Sequence, residues 1–209
     1  MARAPRPPSS TQYEAIVVAA AAQMAGKAPL PDVEAAAAAA GVPGHVAKAL
    51  FPSAEHLTIA VMEHALVLLV DAVTVATARA AAGDPVAQIR AMMHAVLDWA
   101  FDNVDASRLL LSLPALRFAE SAMVERYNTA VYELARQFAL KAQDEGRLDA
   151  GTDIEELLLT LRALVLGLTT LEAIEQTSVW AGGDDPRKAL SAAVDGYVDL
   201  RFRPAAARG

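Results

Sequence analysis

The chain has 209 residues, of which 55% are hydrophobic, 5% are aromatic and 48 are alanine, and its formal net charge at pH 7 is −7. This length fits one large domain or two small ones, and the apolar content excludes a chain that is mainly disordered. The absence of cysteine excludes disulfides, thiolate metal sites and thiol nucleophiles, and it fits a reducing cytoplasm.

The first nine residues contain no apolar stretch that would indicate a secretory signal. The two most hydrophobic stretches, residues 57–70 and 157–171, are too short to span a bilayer and are interrupted by Glu63, His64 and Arg162. We therefore expect a cytoplasmic protein that does not cross a membrane.

Capping residues and helix breakers recur along the chain, and no alternating apolar run or hairpin turn indicates a strand. The sequence therefore predicts an all-α fold of about nine helices. Asp32, Asp84 and Asp185 each precede a predicted helix as its N-cap. The predicted helices cover approximately residues 12–25, 33–40, 44–50, 54–82, 85–103, 106–113, 115–145, 153–180 and 186–203.

Other residues further define where these helices begin and end. Residues 1–10 are rich in proline, arginine and serine, which predicts a flexible arm. Gly41 and Gly146 are expected to end the helices before them. Residues 152–155 match a capping box, in which Thr152 caps the following helix and Glu155 reaches back.

The predicted helices over residues 33–40 and 44–50, joined through Gly41, have the form of a helix-turn-helix. The second helix of such a motif can lie in the major groove of DNA. Ala39 and Ala40, just before the turn, allow the two helices to cross closely. Compact three-helix subdomains use the same turn without touching DNA, so the spacing alone leaves both interpretations open.

The order of residues in this region resembles the tetracycline-repressor (TetR) family of bacterial regulators. The matching residues are Ala15-Ile16, Asp32-Val33, residues 38–42 and the segment Phe51-Pro52-Ser53-Ala54-Glu55-His56-Leu57. The resemblance implies a dimeric repressor with a DNA-binding domain over residues 11–53 and a ligand-binding and dimerisation domain over residues 54–209. It also implies that operator DNA is contacted by Lys27, Pro43, Gly44, His45 and Lys48.

The recognition helix departs from the pattern of the family it resembles. Lys48 stands where the family usually has a tyrosine, and only His45 and Lys48 offer side chains that reach phosphates or base edges. Residues 1–60 carry four basic and four acidic side chains, so the 14 basic and 21 acidic side chains of the remainder account for the whole net charge. We therefore expect a degenerate recognition helix and weakened operator binding.

No catalytic motif is present, since the sequence contains no nucleophile elbow, zinc-protease motif or glycine-rich phosphate loop. The four histidines lack the spacing of metal ligands. We therefore expect neither enzymatic activity nor a metal or other cofactor.

The long helices behind residue 84 carry most of the bulky side chains, and a packed core is the default interpretation of such residues. Methionines with a few polar groups also suit a pocket for an apolar ligand. The residues that we expect to line it are Met92, Met93, Trp99, Tyr127 and Asn128.

The leucine-rich helix over residues 153–180 is apolar on more than one face, which predicts a partner for the second face. A four-helix interface across a two-fold axis would supply it, and a monomer with a larger core is the alternative. The predicted interface residues are Leu161, Leu164, Leu168, Leu190, Val194 and Tyr197.

The sequence thus predicts a TetR-like transcriptional regulator, a repressor, that binds operator DNA as a homodimer and is released by a small apolar effector. The alternative is a TetR-like ligand-binding or interaction protein that has lost sequence-specific DNA binding. The neutral charge of residues 1–60 favours the alternative.

Overall fold

A computed structural model describes residues 10–25, 31–112, 122–181 and 185–203. These residues form ten α-helices and no strand, so the predicted all-α class is confirmed. The flexible arm predicted over residues 1–10 lies outside the described residues, except for Ser10. In chain order, the helices are α1 (Ser10–Ala25), α2 (Val33–Ala39), α3 (Gly44–Leu50), α4 (Ala54–Arg79), α5 (Pro85–Asp102), α6 (Val104–Ser112), α7 (Ala122–Asp144), α8 (Ile154–Ala173), α9 (Thr177–Ala181) and α10 (Pro186–Arg201).

The chain divides into two compact units, with the division between Ala65 and Leu66 inside α4. We call them the N-terminal unit, residues 1–65, and the C-terminal unit, residues 66–209. The functional domains predicted over residues 11–53 and 54–209 stay predictions.

In the N-terminal unit, α1, α2 and α3 pack against one another. Alanines at the contacts let the helices approach closely, since Ala20, Ala36 and Ala47 are completely buried. The rings of Tyr13 and Phe51 pack with their centroids 5.0 Å apart. This small core holds the helix-turn-helix together.

The turn between α2 and α3 closes with a Schellman motif, in which the Val42 amide donates to the Ala37 carbonyl at 2.8 Å. Gly41 has φ of +65°, a conformation that glycine adopts without strain. The helix stop predicted at Gly41 is therefore correct, and it determines where α3 begins.

Aspartates cap four of the helices. Asp32, Asp84 and Asp185 accept hydrogen bonds from backbone amides of the first turn, as the sequence predicted. The capping box predicted at residue 152 is wrong by one position. Asp153 accepts from the amides of residues 155 and 156, because a carboxylate one residue further along competes successfully with the Thr152 hydroxyl.

The helix predicted to run to residue 180 ends at Ala173 instead. Glu175 adopts φ of +59°, and the Gln176 amide donates to the Leu171 carbonyl at 2.8 Å, so the helix closes with a Schellman motif that contains no glycine. Arg108 stabilises this end, since its Nε donates to the Ala173 carbonyl at 2.6 Å and its Nη2 lies 2.8 Å from Glu175. The chain then forms the short helix α9.

In the C-terminal unit, α5 packs against α7, α8 and α10 around one hydrophobic core. Val194 and Val198 of α10 are completely buried there. Ion pairs between α5 and α10 flank the core, because Arg90 bonds both Asp195 and Asp199 at 2.6 Å and His94 lies 2.9 Å from Asp195.

Among the described helices, α4 meets the length and composition of a membrane span, with a mean hydropathy of 2.0 over its most apolar window. The core helix of a water-soluble protein meets the same criteria, so the finding is weak evidence for a span. The sequence analysis expected no stretch long enough to cross a membrane, whereas α4 as a whole has that length.

Candidate functional site

The first candidate site is the exposed face of α3 with the turn before it. Pro43, Gly44, His45 and Lys48 are all exposed, whereas Ala47 is buried against the other helices of the N-terminal unit. The helix-turn-helix thus presents four of the five predicted DNA-contacting residues to solvent on one short segment. Lys27, the fifth, lies outside the described residues.

Lys48 forms an ion pair with Glu34 of α2. Its Nζ lies 2.6 Å from Oε1 of Glu34, and both side chains remain about two-thirds exposed, at 65% and 69%. The hydrogen bond to the Glu34 carboxylate raises the pKa of Lys48, so the ammonium stays charged. A DNA phosphate approaching α3 would compete with Glu34 for this cation.

Lys48 is the only lysine or arginine among the described residues of the N-terminal unit. The same residues contain five carboxylates, those of Glu14, Asp32, Glu34, Glu55 and Glu63. Over the full sequence, residues 1–65 carry four basic and five acidic side chains, so the net charge of the N-terminal unit is close to neutral, and a phosphate contact on the exposed face of α3 would depend on Lys48.

The second candidate site is a cavity of about 320 Å³ in the C-terminal unit. Its walls come from α4, from α5 and from the residue that follows α5. Small apolar side chains form much of the lining, and charged side chains also contribute. The lining residues are Ala72, Val75, Ala76, Arg79, Ala95, Asp98, Trp99, Asp102 and Asn103.

Trp99 is the largest side chain in this lining, and it is 7% exposed. Its indole Nε1 is shielded from solvent and has no hydrogen-bond partner in the described part of the chain. Asn103, which also lines the cavity, donates a hydrogen bond from Nδ2 to the Trp99 carbonyl at 2.9 Å. Trp99 thus carries a buried donor that no described residue accepts.

The charged groups of the cavity lie mainly on α5. Asp98 and Asp102 share Arg187 of α10, whose Nε is 4.0 Å from Asp98 and whose Nη2 donates to Asp102. The Arg187 guanidinium also stacks 4.9 Å from the centre of the Phe101 ring. Arg79 of α4 has no ion pair with a described residue. Arg79 and Arg187 carry two positive charges, and Asp98 and Asp102 carry two negative ones, so the group has no net charge.

The comparisons with known proteins identify the fold. No protein-family model matches the sequence, and no curated protein matches it with significance. Solved structures do match over nearly the whole chain. A protein of unknown function from Rhodococcus sp. RHA1 is similar with a TM-score of 0.75 at 19% identity, over 96% of this chain and 100% of that chain.

A TetR transcription regulator from Haloarcula marismortui ATCC 43049 has a TM-score of 0.71 at 20% identity, over 93% of this chain and 100% of that chain. This chain has the TetR-family fold. A fatty acid degradation regulator from Bacillus halodurans has a TM-score of 0.69 at 15% identity, over 94% of this chain and 100% of that one.

The TetR-family fold confirms the resemblance first seen in the helix-turn-helix and at residues 51–57. The last two neighbours are named as regulators. Among the described residues, no group of three or more histidine, aspartate or glutamate side chains is arranged to hold a metal ion.

Within the TetR-family fold, the five predicted ligand-binding residues do not share one surface. Trp99 lines the cavity, whereas Met92 and Met93 are buried in the hydrophobic core. Asn128 is exposed on α7, where its Oδ1 accepts from Arg162 at 3.4 Å, and Tyr127 on the same helix lies under Arg126 at 5.4 Å. The sequence did not single out Arg79 or Asn103, which line the cavity with Trp99.

The predicted dimer residues lie mostly inside the chain's own core. The four that are buried there are Leu161, Leu168, Leu190 and Val194. Leu164 and Tyr197 pack against that core and are only partly buried. Val194 has no exposed surface in the single chain, and the interface assigned to these six residues stays a prediction. The helix α8 carries other leucines outward, since Leu159 is 69% exposed and Leu166 is 41% exposed.

Proposed function

We propose that this protein is a TetR-like transcriptional regulator, acting as a repressor in the cytoplasm. It binds operator DNA as a homodimer through α3 and is released by a small apolar effector. The observation that carries this proposal is the exposed segment of residues 43–48 on a chain that has the TetR-family fold along nearly its whole length. A helix-turn-helix presents its second helix to the major groove in this way.

The DNA contact would rest on few groups. Lys48 supplies the charge for a phosphate contact, and His45 stands one turn earlier on the same exposed face of α3. Binding requires that Lys48 exchange Glu34 for a phosphate. Because both partners of this ion pair are well exposed, the exchange costs little.

The effector would occupy the cavity between α4 and α5. Its alanine and valine walls suit an apolar molecule, and its volume of about 320 Å³ suits a small one. The similarity to a regulator named for fatty acid degradation agrees with an apolar effector class.

The homodimer would use the outward face of α8. Leu159 and Leu166 are two turns apart on this helix and expose apolar surface that the chain itself does not cover. Large apolar surfaces on soluble proteins commonly mark interaction sites. A two-fold axis on this face would cover the surfaces of both copies and set the spacing of two DNA half-sites.

The second candidate function is a TetR-like ligand-binding or interaction protein without operator binding. The observation that favours it is that the N-terminal unit has no excess of positive charge, since residues 1–65 carry four basic and five acidic side chains and Lys48 of α3 is paired with Glu34. A near-neutral unit provides no general electrostatic attraction for DNA, so binding would require specific contacts.

Selection of bound fragments from random-sequence DNA decides between the two candidates. The full chain is incubated at low salt with a pool of duplexes, and bound fragments are sequenced after several rounds. We expect enrichment of a palindrome whose half-sites are one helical turn apart. A pool that stays random after these rounds would contradict the regulator and favour the ligand-binding protein.

A further inference from the structure

We infer that the segment of residues 1–9 docks in an apolar groove on the N-terminal unit and runs back along α1 from the start of that helix. The inference goes beyond the proposed function, because the contact forms whether or not the chain binds DNA. The segment carries Arg3 and Arg6, two of the four basic side chains in residues 1–65. Its position therefore determines where half of the basic side chains of this unit lie.

The groove lies between one face of α1 and the end of α2, and its volume is about 780 Å³. Its walls are mainly alanine side chains. Val18 is the largest apolar group among them, and it is 52% exposed. The groove thus offers apolar surface that the described part of the chain does not cover. The lining residues are Thr11, Glu14, Ala15, Val18, Ala19, Ala22, Gln23, Ala39 and Ala40.

The length of the segment matches the length of the groove. Ser10, the first described residue, adjoins Thr11 at one end of the groove, and Gln23 lies at the other end. An α-helix rises 1.5 Å per residue, so this distance along α1 is about 18 Å. A polyproline segment advances about 3.1 Å per residue, so about six residues would span the groove. Residues 1–9 are enough for this span and for a reversal of direction before Ser10.

The sequence of the segment, MARAPRPPS, suits an apolar groove. Its three prolines favour the polyproline conformation, and because they lack a backbone N–H they need no acceptor from the walls. A polyproline helix has three residues per turn, so Arg3 and Arg6 would share one side of it. The other two sides would consist of residues 1, 2, 4, 5, 7 and 8, which are all apolar. The segment would therefore turn two apolar sides to the groove and a basic side to its rim.

The charge of the groove agrees with this orientation. Among the lining residues that the structure describes, Glu14 alone carries a charge, and it is exposed about one turn from Thr11. A segment that turns back before Ser10 brings Arg6 to this end of the groove first. An exposed ion pair contributes little, so apolar contact would supply most of the binding and the ion pair would orient the segment. Because the segment is tethered beside the groove, even a weak contact is populated.

Paramagnetic labels test the contact in the full chain. The sequence contains no cysteine, so Ala2→Cys and Ala4→Cys each provide a single site for a nitroxide label. The label broadens the signals of nearby backbone amides in a ¹⁵N-labelled chain. We expect the label at residue 2 to cause its largest signal loss at Ala19 and Ala22. The label at residue 4 should act most strongly near Ala15, closer to the start of α1.

Val18→Lys should release the segment, because it places a cation among the apolar walls and repels the two arginines. Ala22→Lys repeats the test at a second exposed wall residue. Val179→Lys on α9, at a valine that is 70% exposed, is the matched control. We expect the signal loss along α1 to disappear in the two groove variants and to persist in the control. Circular dichroism checks that all three variants are folded.

Signal loss confined to the first turn of α1 with the label at residue 2, or an equal loss in the folded groove variants, would overturn the inference. A second copy is tested by mixing a nitroxide-labelled chain without ¹⁵N with a ¹⁵N-labelled chain without nitroxide. Signal loss along α1 in that mixture would assign the groove to the segment of another molecule and would also overturn the inference.

The DNA selection tests the proposed function separately. A chain that enriches no palindrome but shows the expected signal loss along α1 keeps this contact and loses the regulator. A chain that enriches a palindrome without that signal loss keeps the regulator and loses this contact.

Discussion

In the proposed DNA-bound state, the ion pair between Lys48 and Glu34 would govern the contact between α3 and phosphate. The ammonium lies 2.6 Å from the carboxylate, and phosphate can replace the carboxylate only if the ion pair opens. Exposed pairs of this kind contribute little to stability. Glu34 is therefore expected to tune DNA affinity while leaving the fold intact.

We predict that Glu34→Gln raises DNA affinity about two- to fivefold at low salt, because it frees Lys48 and removes a charge that repels phosphate. Fluorescence anisotropy with a fragment from the selection measures the change. Glu14→Gln on α1 is the matched control, since it removes the same charge without releasing Lys48. An equal gain in both variants would assign the effect to net charge alone.

At the residue scale, the sequence indicates which groups can act but not which of them are paired. Lys48 is conspicuous in the sequence because it is one of few cations near the turn. Its pairing with Glu34 depends on how closely α2 and α3 cross, which follows from buried alanines at the contact. The unsatisfied Nε1 of Trp99 is likewise visible only once its neighbours are known.

The start of α5 shows how one side chain stabilises an element. Asp84 accepts from the amides of Val86 at 2.9 Å and Ala87 at 3.0 Å, and it also accepts from Arg147. Partial burial alone would raise the pKa of Asp84, but these hydrogen bonds and the guanidinium outweigh it and lower the pKa. The carboxylate therefore stabilises the fold in its charged form.

We predict that Asp84→Ala lowers the free energy of unfolding by about 1–2 kcal/mol at pH 7, through loss of the cap and of the ion pair. Asp84→Asn should lose less, because asparagine still caps the helix. Urea denaturation measures both variants. If the alanine and asparagine variants lose equally, the cap contributes nothing and the ion pair carries the whole effect.

The pH dependence of Asp84 has a definite sign. A carboxyl whose pKa is lower in the folded state stabilises the fold above its unfolded pKa and loses that contribution as the pH falls through the folded pKa. The free energy of unfolding should therefore fall as the pH drops below about 4. Asp84→Asn should show a smaller fall over the same range, measured by urea denaturation at each pH, and an unchanged fall would contradict the assignment.

At the element scale, the starts of helices were more predictable than their ends. Aspartates mark the starts because their carboxylates accept free amides, and the three predicted N-caps are present. Gly41 and Gly146 mark two ends by their positive φ. The end of α8 escaped prediction because Glu175 adopts that conformation with support from Arg108, which is distant in sequence.

At the scale of the whole molecule, the burial of each leucine within one chain shows which leucines belong to the core and which stay exposed for a partner. Leu161 and Val194 had the right spacing for an interface, but α5 and α7 cover this region within the same chain. The apolar pattern of α8 correctly indicated two faces. It did not indicate which face meets α5, since that depends on how the helices pack.

We predict that the double variant Leu159→Glu and Leu166→Glu shifts a dimer to monomers by at least tenfold in dissociation constant, about 1.4 kcal/mol, without unfolding the chain. Sedimentation velocity measures the shift, and circular dichroism checks the fold. Leu111→Glu on α6, also an exposed leucine, is the matched control.

Val194→Glu should instead unfold the chain, since it buries a charge in the core at a cost of about 4 kcal/mol or more. A Val194→Glu variant that is folded but monomeric would instead support the interface residues first predicted from the sequence. A chain that is already monomeric at micromolar concentration would contradict the dimer itself.

The salt dependence of DNA affinity tests the central claim most directly. It is measured by anisotropy for the full chain and for Lys48→Ala, on the same selected fragment. If α3 binds DNA in a homodimer, binding weakens as salt rises, and Lys48→Ala reduces the slope of log affinity against log salt by about 1.8, for two lost phosphate contacts. No binding at low salt, or a slope that Lys48→Ala leaves unchanged, would contradict a DNA-binding role for this helix.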